Sequence, residues 1–335
     1  LHKKHSPQRV QCAHHENASL LQKLHKRLHG NFQKSALRHN YFGSTAKSMA
    51  NILVEIPQAE WIDLRDLYLV QKQLSSAYNT IQCLIDWKIQ NEELEINIYS
   101  LNGDWRSDGT YVAIKKKPIT YLFINTLSDN QERLLTALRM LKNKEPLLVF
   151  GYPERLTPTV KQFFIGRGAK EEEFEADGTA WYHIDKDKAT QFALDVPEGF
   201  TLRRLDTKNA ELVNSVWPHR TSNTLLFVER MITYADSVGV YDSSDNLVAW
   251  CLRLPIGSLG LLQVMESHKR LGLGSLVVCY MSKLIASKGL EVTAPVVFQN
   301  MASRSMFEKL GFKVIDNVYW CMLSASEKAF QLSGC

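Results

Sequence analysis

The chain has 335 residues, 45% hydrophobic and 22% charged, enough for two compact domains of ordinary globular composition. No apolar run approaches the roughly 18 residues that a membrane-spanning helix needs. Six scattered cysteines (Cys12, Cys83, Cys251, Cys279, Cys321, Cys335) form no C-x-x-C pair, which argues against a disulfide framework or a zinc site and for a reduced intracellular setting, cytoplasmic or mitochondrial.

The net charge of +5 comes from residues 1–50, where nine Lys or Arg stand against one acidic residue, Glu16. The remaining chain is slightly acidic. Three readings of this arm compete. One is a solvated, disordered extension. Another is a mitochondrial presequence, since Leu20, Leu24 and Leu28 form a stripe beside Lys23, Lys26 and Arg27. The third is a nucleic-acid arm, disfavoured because few aromatic residues offer a stacking platform.

From Asn51 the apolar periodicity predicts helices over 63–74 and 76–87. Strands follow at 95–99 and 110–114, around the turn residues Asn102, Gly103 and Asp104, and again at 119–124. Ser128 can cap a helix over 130–141, 147–150 reads as a strand, and Thr157 caps a helix that Pro158 initiates and that runs to Ile165. One or two strands over 174–184 close this half, and 185–199 reads as a linker. The second half begins with a strand at 201–205 and helices at 208–216 and 222–234. A meander follows at 237–241, 247–253 and 258–264, then a helix at 273–287 and a strand at 291–298. A helix at 302–310 and two strands, 312–315 and 318–323, complete it. The halves share this outline, which raises a degenerate duplication against two unrelated α/β units.

The chemistry-bearing stretch is Lys269-Arg270-Leu271-Gly272-Leu273-Gly274-Ser275, between an apolar strand and an apolar helix. Amides exposed at a helix start, with the helix dipole behind them, bind anions such as phosphate. Gly272 and Gly274 let a ligand approach the backbone, while Lys269 and Arg270 add charge. No Gly-Lys-Ser/Thr follows, so this is not a P-loop. A dinucleotide fingerprint would need its third glycine at Val277. A plain Gly-containing turn remains the bland alternative.

Downstream lie Asn300, Ala302, Ser303, Phe307 and Leu310-Gly311-Phe312. Together the two segments resemble the GNAT superfamily of acyl-CoA N-acyltransferases, whose motifs read Arg/Gln-x-x-Gly-x-Gly/Ala and Asn-x-x-Ala/Ser followed by Leu-Gly-Phe. The segments 210–217 and 227–232, with Trp250, resemble its glycine N-acyltransferase-like branch, in which a second, degenerate unit precedes the first. The resemblance implies an α/β fold with mixed sheets: an arm over 1–50, a degenerate GNAT-like domain over 51–190 and a GNAT domain over 200–335. It also implies that the last strands are exchanged between the units.

The same resemblance implies acetyl-CoA or another acyl-CoA as substrate, no metal, and a small amine such as an amino acid as acceptor. It leaves open a CoA-binding protein with little turnover, or an acyltransferase for a protein or nucleic-acid-associated substrate. Leu262, Val264 and Met265 would take the pantetheine arm, the amides from Arg270 to Ser275 the diphosphate, and Asn300 and Ser303 the pantetheine side. Lys269 stands at the motif's Arg/Gln position. Phe307 stands where many members carry a tyrosine that protonates the leaving thiolate, which phenylalanine cannot do. Ser258 falls where the branch's proposed glutamate base would be. Glu266 and Ser303 are the remaining catalytic candidates, with His268, Tyr280 and Glu229 more remote; Cys279 reads as core.

Overall fold

The alternation of short apolar strands and helices is realised in a computed structural model that describes residues 50–117, 119–142 and 146–323. The basic segment before Ala50, with the three roles considered for it, lies outside them. Residues from Asn51 onward form one compact unit.

The first half runs β1 (Leu53–Glu55), α1 (Trp61–Leu67), α2 (Ala77–Gln90), β2 (Ile96–Leu101), β3 (Tyr111–Lys115), β4 (Thr120–Asn125), α3 (Glu132–Arg139), β5 (Leu147–Pro153), α4 (Thr157–Ile165) and β6 (Asp177–Ile184). A four-residue helix, α5 (Lys186–Ala189), sits in the segment expected to be linker. The second half repeats the order: β7 (Thr201–Arg203), α6 (Ala210–Ser215), α7 (Thr224–Tyr234), β8 (Ser237–Tyr241), β9 (Leu247–Arg253), β10 (Leu259–Val264), α8 (Leu273–Ser287), β11 (Val292–Val297), α9 (Met301–Lys309) and β12 (Lys313–Leu323).

Pairing does not follow that repeat to its end. One sheet has the order β1-β2-β3-β4-β5-β12-β6-β11 and the other β10-β9-β8-β7. β12, from the second half, pairs with β5 of the first, while β6, from the first half, pairs with β11 of the second. The closing strands are therefore exchanged, and neither half completes its sheet alone. Trp61, Trp87, Trp181 and Trp250 are all fully buried in a core that draws on both halves. At about 25 cal/mol per Å² of apolar area removed from water, such large side chains dominate the drive to fold.

Three expectations need correction. The helix expected over 63–74 ends at Leu67 and continues as a 3-10 turn to Gln71, leaving Leu74 exposed. Neither Thr157 nor Ser128 caps its helix: the N-cap positions are Leu156 and Gln131, and neither makes a side-chain capping bond. The two strands expected at 312–315 and 318–323 are one strand, β12. Asp316 and Asn317 look like a turn in sequence, but the register against β6 shifts between Val314 and Asp316, so the pair forms an irregularity within the strand.

Candidate functional site

β10 sets the geometry. It pairs with β9 through Leu259↔Arg253 and Gly260↔Leu252, then slips by one residue before Gln263↔Trp250. Leu261 absorbs the extra residue at φ 46°, a conformation that costs a branched side chain energy. Among the described residues the other edge of β10 pairs with no strand; β11 hydrogen-bonds to β6 in the other sheet. Two sheet edges thus face each other unpaired, and an extended ligand can take up such backbone groups.

The chain leaves β10 at Met265, whose N–H donates to the Val248 carbonyl at 2.8 Å. A 3-10 turn over Glu266–His268 follows, then Arg270 at φ 65° and Gly272 at φ 77°, which is the N-cap of α8. A side chain on Gly272 would meet nothing within 4 Å, so the dihedral rather than crowding calls for glycine. A Cβ on Gly274 would instead come within 3.4 Å of Met306 and Val264, so the helix start is seated closely on β10 and α9. Among the described residues no acceptor meets the N–H groups from Arg270 to Ser275. With the α8 dipole behind them they can hold an anion as extended as a diphosphate.

Below the separated strands lies a cavity of about 390 Å³. β10 contributes Leu259 to Gln263 and β11 Ala294 to Val297; Asn300 caps α9, which supplies Ser303 and Phe307. The first half and β12 supply Tyr121, Leu148, Phe150 and Trp320, and the segment from Val216 to Thr224, between α6 and α7, closes another side. No carboxylate, lysine or arginine belongs to the described lining.

The residues expected from the sequence are distributed unevenly. Leu262, Asn300, Ser303 and Phe307 line the cavity. The Asn300 side chain accepts from the Ser303 N–H at 3.0 Å, capping α9 and fixing the first turn that carries Ser303. Phe307 is buried, stacked on Tyr182 and edge-on to Phe312. Val264, Met265, Lys269 and Leu271 to Ser275 are not in the lining, but they are continuous with it along β10 and the turn. Arg270 is exposed, and its guanidinium makes no ion pair among the described residues. Glu266 lies outside the lining, its side chain 87% exposed and paired with Lys269 at 2.6 Å. His268, Tyr280, Glu229 and Cys279 are outside it as well; burial raises the pKa of the Cys279 thiol. Ser258 is fully buried in the β9–β10 connection, its hydroxyl unpartnered among the described residues.

Sequence reasoning missed His219. It lines the cavity edge-on to Trp217, and burial pulls its pKa down to about 4, so the imidazole is neutral at pH 7. A histidine in the loop sequence Trp-Pro-His carries no signal of that placement. Tyr121 and Phe150 were equally hidden, since they belong to the other half of the chain.

Residues 237–321, from β8 into β12, match the family model described as FR47-like protein. The chain has the fold of the GNAT superfamily. A Drosophila protein solved by structural genomics shares it at 23% identity, covering 83% of this chain and 100% of that one, with a TM-score of 0.74. A Pyrococcus horikoshii protein aligns at 9% identity over 87% of this chain and 96% of its own, with a TM-score of 0.52. A tandem GNAT protein from the clavulanic acid biosynthesis pathway is 12% identical, with coverages of 83% and 100% and a TM-score of 0.49. No curated protein sequence matches the chain. The repeated element order is that of two units of this fold in tandem.

Proposed function

We propose that the chain is an acyl-CoA-dependent N-acyltransferase for a small amine, with 51–190 as a degenerate GNAT-like domain and 200–335 as the domain that binds the acyl-CoA. The observation that carries this reading is the unpaired β10 edge running into unpartnered amides at the start of α8. The diphosphate would sit on the amides from Arg270 to Ser275, with Lys269 and Arg270 beside it. Pantetheine would run along Leu262, Val264 and Met265, facing Asn300, and deliver the thioester towards the cavity.

The amine nitrogen attacks the thioester carbonyl carbon, forming the C–N bond. The C–S bond then breaks, sulfur leaves with the electron pair, and the proton lost by nitrogen ends on the CoA thiol. Positioning of the two reactants supplies much of the rate. Ser303, at the cavity beside Phe307, is the hydroxyl placed to donate to the thiolate. Glu266, exposed and paired with Lys269, takes no part in this scheme.

A second reading, a CoA-binding protein with little turnover, is favoured by one observation: the described lining holds no carboxylate and carries Phe307 where a proton donor would serve. Calorimetric titration with CoA, followed by thiol release from acetyl-CoA over a panel of amines, separates the two. CoA binding with no thiol release for any amine would leave the second reading standing. Acylation of a macromolecule would rest on the basic arm, and activity towards it that survives deletion of 1–50 would remove that case.

A further inference from the structure

The character of the cavity wall constrains the acceptor. Tyr121 stacks on Phe227 (5.3 Å, 18°), and Phe227 stacks on Trp217 (6.1 Å, 18°). Phe150 meets Trp320 edge-on at 5.7 Å. All five rings line the cavity, above a floor that includes the fully buried Trp250. Flat faces arranged in this way suit a flat apolar body.

Lys115 and Arg230, two cations near this wall, are engaged elsewhere, while Arg220, between the lining residues His219 and Thr221, is exposed and outside the lining. Lys115 lies behind Tyr121, its ammonium 4.6 Å from the ring centre and donating to the Lys117 carbonyl at 3.0 Å. Arg230 donates to the carbonyls of Lys116 and Lys117, at 3.2 and 2.6 Å. A carboxylate drawn into the cavity would therefore be desolvated with no counter-ion among the lining residues, a heavy penalty for an ionised group. An amine escapes that penalty by entering neutral. Behind the wall, Lys115 is itself pushed towards the neutral form, its pKa being lowered to about 7 by its own burial and by Arg230.

We infer that the acceptor is an amine with a flat apolar body and no carboxylate. The inference rests on the acyl-CoA reading and narrows it away from amino acids. Acetyl-CoA as donor keeps the acyl group small and leaves the aromatic wall to the acceptor.

The decisive comparison is phenethylamine against phenylalanine, which differ only in the carboxylate. With the full chain and acetyl-CoA, kcat/KM for phenethylamine should exceed that for phenylalanine by at least 100-fold. The tryptophans at the cavity allow the same comparison without turnover: fluorescence titration of the CoA-saturated protein should give at least 10-fold tighter binding of phenethylamine. Ser222 is exposed at the cavity rim, and Ser222→Arg should narrow the gap at least 10-fold by supplying a counter-ion. Equal or better use of phenylalanine, or no binding of either amine to the CoA-loaded protein, overturns the inference while leaving the acyl-CoA reading intact. A preference for aromatic acyl donors with glycine overturns it too, since the wall would then hold the acyl group. Absence of calorimetric CoA binding removes the acyl-CoA reading itself, and this inference with it.

Discussion

The two halves of the chain make the same step, strand to turn to helix to parallel strand, with opposite results. In the first half β4 pairs with β5 from Thr120↔Leu147 to Leu122↔Val149, and the turn before α3 fills its own amides. Side-chain oxygens of Thr126, Ser128 and Asn130 accept from the N–H groups of Ser128, Asn130 and Glu132 at 3.0 to 3.1 Å. Arg155 reaches back to the Thr126 carbonyl and, at 2.9 Å, to the Asn125 side chain. In the second half β10 and β11 stay apart, and the turn before α8 offers glycine and leucine where the first offers hydroxyls and amides. An anion site thus depends as much on withholding internal acceptors as on presenting donors.

The largest effect that would break this comparison is expected at Gly272. Gly272→Glu should lower CoA affinity by on the order of 100-fold in calorimetry, through a strained φ and a misplaced charge at a helix N-terminus. Because the site is open, Gly272→Ala should show the dihedral cost alone, about 1 kcal/mol. Unchanged CoA affinity in the Glu variant would mean that the turn is not the anion site.

Lys115, on the strand next to β4, comes next. Its folded-state pKa of about 7 lies below the roughly 10.4 of a free lysine. Between those values the unfolded chain binds a proton that the folded chain lacks, so this residue makes stability rise with pH from about 7 to 10. Lys115→Met should flatten that rise and, at pH 7, stabilise the fold by a few kcal/mol. Urea unfolding at pH 7 and 9.5 reads both effects; a slope equal to that of the unmodified protein would count against a buried, depressed lysine.

Arg155→Ala should cost about 2 kcal/mol of stability, by stranding the oxygens that the guanidinium serves, while CoA affinity stays the same. A loss of CoA affinity there would contradict the division of labour between the halves. The smallest effect is expected for Asn300→Ala. Removing the cap on α9 should cost about 1 kcal/mol, with a several-fold weakening of CoA binding as Ser303 loosens. Full stability in thermal unfolding would show that the cap is replaced by solvent.

Legibility from sequence followed the range of the interactions. α8 was expected at 273–287 and is found there, because a glycine cap, an unbroken apolar stretch and Gly289 beyond its end are all local signals. The same locality made the turn readable. β12 was misread because a polar pair inside a strand is indistinguishable from a turn until its partners on β5 and β6 are known. Glu266 stood out by sitting beside the turn in sequence, yet its side chain extends away into solvent.

Sequence alone thus determined most of the order of elements, raised their duplication in outline, and marked the glycine-spaced turn with its two cations. Each follows from backbone preferences and periodicities that act over a few residues. Tertiary structure decided which strands close which sheet, that β10 and β11 stay apart, and that Tyr121, Phe150, His219 and Trp320 share one cavity. Those outcomes depend on pairings between segments far apart in the chain, where any buried strand edge can accept more than one partner. Only the packing of the whole core selects among them.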